Sequence, residues 1–493
     1  MTPTGAAERT PVATSEHLNV AYLGQWVATQ AARHRVPGVQ FAVAVDDEVV
    51  LDGAWGVTDL TSGTSLRPDH LFRVASHSKT FTATAVARLV DAGELRWDDP
   101  LGAHVPELGR TSVGEVTVRE ALGHTGGLLR DGRDADHWQL GLPFPDRATL
   151  LDAVLVDGEV FGRGETFKYS NLAYGLLGLV IEAVTGERYV DHVRRELLEP
   201  LGLTDTFGEL DDEIARRAVV GHSAPAPATP GLPAVFADGR LPVAGTTTGA
   251  LAAATGFCST ARDLVRWAMA HCEGSTLLRP ESRRLLQREE SVIERPRAGR
   301  RAYGLGFELR DVDGRRLVGH SGGFPGQITR TWFDPSARVA VSVLTNAIDG
   351  PADPIALGLF ALVTTALADG GARASGVAAP GAGTDEAGDD ALDALDRWTG
   401  RFANLWGRVD VVRLGTGLWQ IDPLRGDPLD GAERLQVAGD VLRPEAHAGF
   451  GPVGEPVQVL RDGAGEPHAV VVGGMTSWRA DEFERQRRAN LPG

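Results

Sequence analysis

Lysine is almost missing from this chain. Its 493 residues include 49 of the Lys/Arg class, and only two, Lys79 and Lys168, are lysines. Cysteine is as rare, with Cys258 and Cys272 alone. That excludes a disulfide framework and leaves two reduced core thiols as the expectation. The opening MTPTGAAERTPVATS has no basic start followed by an apolar stretch, so no signal peptide is predicted and a cytoplasmic location is expected. The most apolar run, Ile355 to Ala368, is too short to span a bilayer and reads as a buried helix. Positive charge is in deficit. A formal net charge of −17 argues against nucleic acid or an anionic membrane as partner. The 13 histidines include no His-Glu-x-x-His and there is no cysteine cluster, so no metal is expected. Neither lysine follows a glycine, which excludes a Walker P-loop. No cofactor is expected.

What is present suits a globular protein. Hydrophobic residues make up 42% and charged residues 23%, enough for real cores, and the length predicts two or three domains. Residues 1–15 read as disordered. From Glu16 to Arg35, Leu18, Tyr22, Trp26 and Val27 recur at helical spacing. VQFAVAVDDEVVLDGAWGV then forms two β-rich runs about Asp46-Asp47, a hairpin. Ser76 opens an Ala/Thr/Val-rich helical segment that ends near Gly93. Residues 94 to about 290 mix helices with long loops, of which the Pro/Gly/Ala-rich 223–249 is the most loop-like. Strand character returns at YGLGFEL, RRLVGHSGG, QITRTWFDP and ARVAVSVLTN, the last two joined by an Asp334-Pro335-Ser336 turn. Strands at both ends of a 16–369 unit, with helices between, predict an α+β fold: an antiparallel sheet flanked by helices plus a helical subdomain. Residues 370–390 read as a flexible linker. Short strands with Gly-rich turns over 391–493 predict a small all-β barrel domain.

The scarcity of lysine makes its position informative. Lys79 follows Ser76 by three residues in FRVASHSKTF, so on a helix the two share a face. A serine hydroxyl is a weak nucleophile until a base takes its proton. Arginine keeps its own proton. Lysine can serve once desolvation brings its pKa from about 10 toward neutrality, and TFTATAVARLV is apolar enough to bury it. A first-turn Ser76 also turns its backbone N–H toward a bound oxyanion. Ser-x-x-Lys alone arises by chance in roughly 7% of such chains, so other motifs must decide. FKYSN supplies Tyr169 and Asn171. A tyrosine near a lysine ammonium is expected to have a lowered pKa and to relay protons, while Asn171 offers a donor and an acceptor to an amide substrate. Lys168 alternates away from Tyr169 in an extended segment and reads as peripheral. GHSGG, residues 319–323, closes a strand. His320 is the candidate to donate to substrate or join the proton network. The glycines let a backbone approach closely, and the N–H of Gly323 is the candidate second oxyanion donor.

Ser76-His77-Ser78-Lys79, Tyr169-Ser170-Asn171 and His320-Ser321-Gly322 match in order the three motifs of the SxxK serine hydrolases. That family includes class C β-lactamases, penicillin-binding proteins, D-aminopeptidases and family VIII esterases. ALGHTGGL (121–128) resembles a turn of the family usually reading His-Thr-Ser-Gly-Leu, with Gly126 in place of serine, and GFCSTARDLVRW (256–267) resembles its stretch before the third motif. The resemblance covers roughly residues 20–369. It implies the β-lactamase/penicillin-binding-protein-like fold, with Ser76 as the acylated nucleophile and Lys79 and Tyr169 as general base and proton relay. It further implies Asn171 on the substrate amide, Ser321 and Gly322 in the substrate-binding strand, and the N–H groups of Ser76 and Gly323 around the oxyanion. Where β-lactamases usually carry a lysine that helps hold the drug's carboxylate, this chain has His320, which looks like the D-aminopeptidase, esterase and peptidase branches. The barrel tail resembles that of D-aminopeptidases and archaeal-type serine peptidases. It also looks like the lipocalin-like domain of penicillin-binding-protein-type thioesterases. The implied activity is acyl-enzyme hydrolysis of amide or ester bonds in small peptide-like substrates. The alternative is a thioesterase or peptide cyclase working on a carrier-bound peptidyl thioester.

Two rivals belong to other classes. GHSGG also satisfies Gly-x-Ser-x-Gly, the nucleophile elbow of α/β-hydrolases, with Ser321 as nucleophile. That elbow needs strand–turn–helix, and FPGQITRTWFDP reads as a break followed by a strand. The second rival is a ligand-binding protein without turnover. The loop 130–147, with Trp138 and Phe144, is a candidate wall of the substrate pocket.

Overall fold

The computed structural model describes residues 18–489 except 133–134, 139–141, 225–238, 244, 295–299, 375–388, 405–406, 431, 445–456 and 473–474. Residues 1–15, most of the 223–249 loop and most of the 370–390 linker lie outside the described residues. The chain divides into two compact units, one of His34–Ala356 and one combining the N-terminal helix with Leu357–Gly493.

The first unit is built on an eight-stranded sheet. Its order is Glu48–Gly56, Gly38–Val45, Val339–Thr345, Gln327–Asp334, Arg315–Phe324, Glu308–Val312, Arg301–Tyr303 and Ser291–Glu294. Every adjacent pair is antiparallel. Gly38–Val45 is buried along its whole length, which is why GVQFAVAV is small and apolar rather than alternating except at Gln40, whose amide is satisfied by the carbonyls of Arg67 (3.1 Å) and His70 (2.9 Å) and the N–H of Ala261 (2.6 Å). Asp46 and Asp47 take φ of 48° and 72°, a left-handed turn that short polar side chains tolerate. At the second predicted turn the Asp334 carboxylate accepts from the N–H groups of Ser336 (3.0 Å) and Ala337 (2.9 Å).

Helices Ser78–Ala92, Asn171–Thr185 and Ala261–Met269 share one core. The last lies against the sheet, burying Leu264, Val265, Trp267 and Ala268. Trp267 meets Phe81 at 4.5 Å, and Phe81 stacks on Phe257 at 4.6 Å. The α+β expectation therefore holds, with helices inserted between the first hairpin and the later strands.

The second unit contains a closed barrel of eight strands, from Gly400–Asn404 to Met475–Arg479. Its interior is filled by Trp398, Phe402, Val411, Leu418, Leu435, Leu442, Val457 and Val470. The barrel was expected; the helices Asp389–Asp396 and Ala480–Ala489 were not. The N-terminal helix Val20–Arg33 belongs to this unit, where Gln30 donates through Nε2 to the carbonyls of Pro423 (2.7 Å) and Arg425 (2.9 Å). The apolar helix predicted to end at 368 runs from Ala352 to Ala374. Among the described residues, no helix is long and apolar enough to cross a membrane.

Candidate active site

Ser76 lies in a single 3-10 turn, Ala75–His77, and the α-helix proper begins at Ser78. This differs from the predicted placement inside the first α-turn. The reason is local: Ala75 takes φ 45°, a left-handed conformation that destabilises a non-glycine residue by roughly 1–2 kcal/mol and keeps the α-helix from extending back past it, so Ser76 is left in the tighter opening turn. Buried partners hold it. Ser78 Oγ donates to the Ala75 carbonyl (2.5 Å) and accepts the N–H of Phe257 (3.1 Å). His77, 2% exposed, places Nδ1 3.0 Å from the Val74 carbonyl and Nε2 3.0 Å from Thr331 Oγ1. Burial pushes His77 down to about 3, so it is neutral.

Lys79 has no solvent exposure. Its Nζ stands 3.2 Å from Ser76 Oγ, 2.7 Å from Asn171 Oδ1 and 2.9 Å from the Ala254 carbonyl. Burial drives it well below the ordinary lysine value of 10.5; Asp131 pulls it back up and Arg130 pushes it further down. In its uncharged form, which burial favours, the amine has two N–H bonds and one lone pair: the two oxygens that can only accept would take the N–H bonds and leave the lone pair for the Ser76 hydroxyl.

Tyr169 completes the cluster, its hydroxyl 2.8 Å from Ser76 Oγ. The expected lowering of its pKa does not occur. Burial raises it, and the hydrogen bond to Ser76 only partly offsets this. The lowering presumed a lysine ammonium, the form that burial of Lys79 disfavours. Tyr169 is thus a phenol that donates. Asn171 opens the helix Asn171–Thr185, capped by Ser170 Oγ accepting the N–H of Ala173 at 2.9 Å. Each end of its amide has one partner inside the protein, Oδ1 accepting from Lys79 and Nδ2 donating to Asp131 Oδ1 at 2.6 Å. Asp131 in turn pairs with Arg130 at 3.0 Å.

The strand Arg315–Phe324 runs beside the nucleophile turn. A Cβ on Gly322 would lie 2.2 Å from the Val74 carbonyl oxygen and 2.3 Å from Thr329 Oγ1, so only glycine permits this approach. Gly323 is exposed. The polar atoms of His320 and Ser321 turn elsewhere. His320 Nε2 meets the Tyr303 hydroxyl at 2.9 Å and Nδ1 meets the Ser321 carbonyl at 2.7 Å. Burial pushes His320 down to about 4 although Glu308 pulls it up. Ser321 gives its hydroxyl (2.6 Å) and its N–H (3.1 Å) to Glu308 Oε1, while Arg330 Nη1 holds Oε2 at 2.8 Å. Burial pushes Glu308 up, but the Arg330 guanidinium and these hydrogen bonds hold it well below the usual carboxylate range. The strand continues through a turn into another strand, so the strand–turn–helix required for a nucleophilic Ser321 is absent here. From the 130–147 loop, Phe144 stacks on Phe324 at 6.0 Å and Trp138 packs on both rings, at 4.9 and 6.1 Å.

Sequence reasoning missed Asp131, Glu308 and Tyr303. Glu308 had a signal, an acid inside the strand-like YGLGFEL. Asp131 sits in an acidic loop where no spacing marks it.

The β-lactamase family model matches residues 23–364. Penicillin-binding protein 4 of Amycolatopsis lactamdurans is 30% identical over 342 residues, 64% of this chain and 81% of that protein. The octameric penicillin-binding protein homologue from Pyrococcus abyssi superposes with a TM-score of 0.61 at 21% identity, covering 94% of this chain and 99% of that one. The D-amino acid amidase from Ochrobactrum anthropi SV3, solved with L-phenylalanine amide, gives 0.54 at 26% identity over 66% of this chain and 90% of its own.

Proposed function

Because the chain belongs to the β-lactamase family of SxxK serine hydrolases, we propose that it cleaves amide or ester bonds of small peptide-like substrates through an acyl-enzyme on Ser76, in the manner of a D-aminopeptidase or esterase. One observation carries the reading: the buried Lys79 amine and the phenol of a half-buried Tyr169 converge on the oxygen of a half-buried Ser76.

Lys79 takes the Ser76 proton as Oγ bonds to the acyl carbon. The N–H groups of Ser76 and Gly323 receive the oxyanion. Tyr169 hands its proton to the leaving amine or alkoxide, and the proton held by Lys79 restores the phenol. Water then attacks the acyl-enzyme by the reverse relay, releasing the acid and free Ser76. Asn171 and Asp131 hold Lys79 in place, and a neutral His320 orients Tyr303 at the edge of the substrate strand. Similarity to a D-amino acid amidase supports amides of D-amino acids as the first substrates to try. Cytoplasmic residence is part of the same proposal, supported by two buried, unbridged cysteines.

The test compares wild type with Ser76→Ala on D-amino-acid amides, p-nitrophenyl esters, nitrocefin and a peptidyl thioester, alongside fluorophosphonate labelling. Amide and ester turnover and the label are expected in wild type and lost in the variant. Undiminished turnover by Ser76→Ala, or a folded wild type that takes no label, overturns the proposal. A cyclised product mass from the thioester would instead identify an acyl transferase using the same nucleophile.

A further inference from the structure

ALGHTGGL takes no part in the chemistry above, yet its histidine is built tightly around that chemistry. His124 is 1% exposed and adopts a left-handed φ of 57°. Its carbonyl oxygen accepts the N–H of Lys168 at 2.8 Å, and its ring Nδ1 accepts the N–H of Ser170 at 3.2 Å. These are the residues on either side of Tyr169. The imidazole itself lies 4.3 Å from the Tyr169 ring, tilted by 39°. Tyr303 at 4.8 Å, Tyr174 at 5.1 Å and Phe167 at 5.6 Å close the remaining sides.

The tautomer follows from the contacts. Nδ1 accepts, so the ring proton sits on Nε2. Nε2 is buried and has no hydrogen-bond partner. A residue kept only to fill space would avoid that unpaired N–H, since phenylalanine occupies a similar volume without it. The retained feature is the acceptor at Nδ1.

We propose that His124 is a positioning residue for Tyr169, holding the main chain on both sides of it and its ring so that the phenol stays on Ser76 Oγ. The inference rests on the reading of Tyr169 as the proton relay. The phenol oxygen lies at the far end of a long lever, and a displacement of about 1 Å at such a group lowers rates by about 10²-fold.

The test uses the full-length protein with p-nitrophenyl butyrate and D-phenylalanine amide, rates being referred to sites titrated by a fluorophosphonate. Tyr169→Phe is expected to lose about 10²–10⁴-fold in kcat. His124→Phe, which keeps a ring without the acceptor, is expected to lose about 10²-fold with KM nearly unchanged. His124→Asn is expected to keep most of the wild-type rate, because Asn tolerates the left-handed backbone and its Oδ1 falls near the Nδ1 position. The double variant His124→Phe/Tyr169→Phe should be no slower than Tyr169→Phe alone. If His124→Phe gives no titratable sites, His124→Gln replaces it with the same expected loss, since its longer amide overshoots that position. A ring variant as fast as wild type overturns the inference. So does His124→Asn as slow as the acceptor-less variant, or a double variant carrying the full extra loss. Wild-type speed in Tyr169→Phe would instead sink the reading of Tyr169, and the two failures are thereby distinct.

Discussion

Lys79 beside Ser76 and Glu308 behind His320 are both buried, and burial does opposite things to them. At Ser76 the ionisable amine of Lys79 faces only neutral acceptors and the serine it serves, with Asp131 one residue removed. Burial favours its uncharged form, whose lone pair is the base of the proposed mechanism. At the third motif Glu308 meets Arg330 at 2.8 Å and Arg301 at 3.2 Å. There the charge survives and is spent on holding the strand. Desolvation favours the neutral form unless an opposite charge is supplied. That difference separates a reactive cluster from a scaffolding one, although both were marked by the same kind of motif.

The sharpest way to break the comparison is Lys79→Arg, which puts a permanent cation where burial disfavours one and removes the base. It is expected to lower kcat by on the order of 10²–10⁴-fold. In wild type the amine works only when unprotonated. The pH profile of kcat/KM should therefore lose activity as pH falls through a value well below 10.5, and activity should persist above it. A profile that drops only near the ordinary lysine value would contradict the assignment. Next in size is Gly322→Ala. Its methyl would meet the Val74 carbonyl at 2.2 Å and push the scaffolding strand off the nucleophile turn, with an expected loss of about 10²-fold in kcat while Tyr169 and Lys79 remain in place.

The smallest effect lies in stability. His320 has a native pKa of about 4 against 6.5 for the free side chain, so the unfolded chain binds more protons between those values. Stability rises with pH across that window and is lost as pH falls from 6.5 toward 4, by on the order of 3 kcal/mol at full extent. His77 acts in the same sense down to about 3. His320→Gln should flatten the fall in Tm measured calorimetrically from pH 7 to 4.5. An unchanged slope would mean that His320 is not buried neutral.

Legibility from sequence followed the range of the interaction. Ser76 and Lys79 could be read because a three-residue spacing and the rarity of lysine are local facts. Tyr169 was found through motif order, but its protonation was misjudged, because the charge state of Lys79 depends on burial by residues far away in the chain. Asn171 was expected to meet the substrate amide; that one of its Nδ2–H bonds goes to Asp131 was not legible, because the two lie 40 residues apart. Strand alternation and turn chemistry located the sheet and the barrel. The helices Asp389–Asp396 and Ala480–Ala489 escaped because their acidic and charged texture resembles linker and tail more than a packed face.

The sheet has a consequence for synthesis. Val39 lies opposite Thr345, so the opening hairpin must wait with one side unsatisfied until nearly the whole catalytic unit has left the ribosome. An unpaired strand edge as apolar as Phe41–Val45 invites pairing with other nascent chains. Premature termination anywhere before that last ribbon forfeits more than the missing segment, because it strands the first piece made.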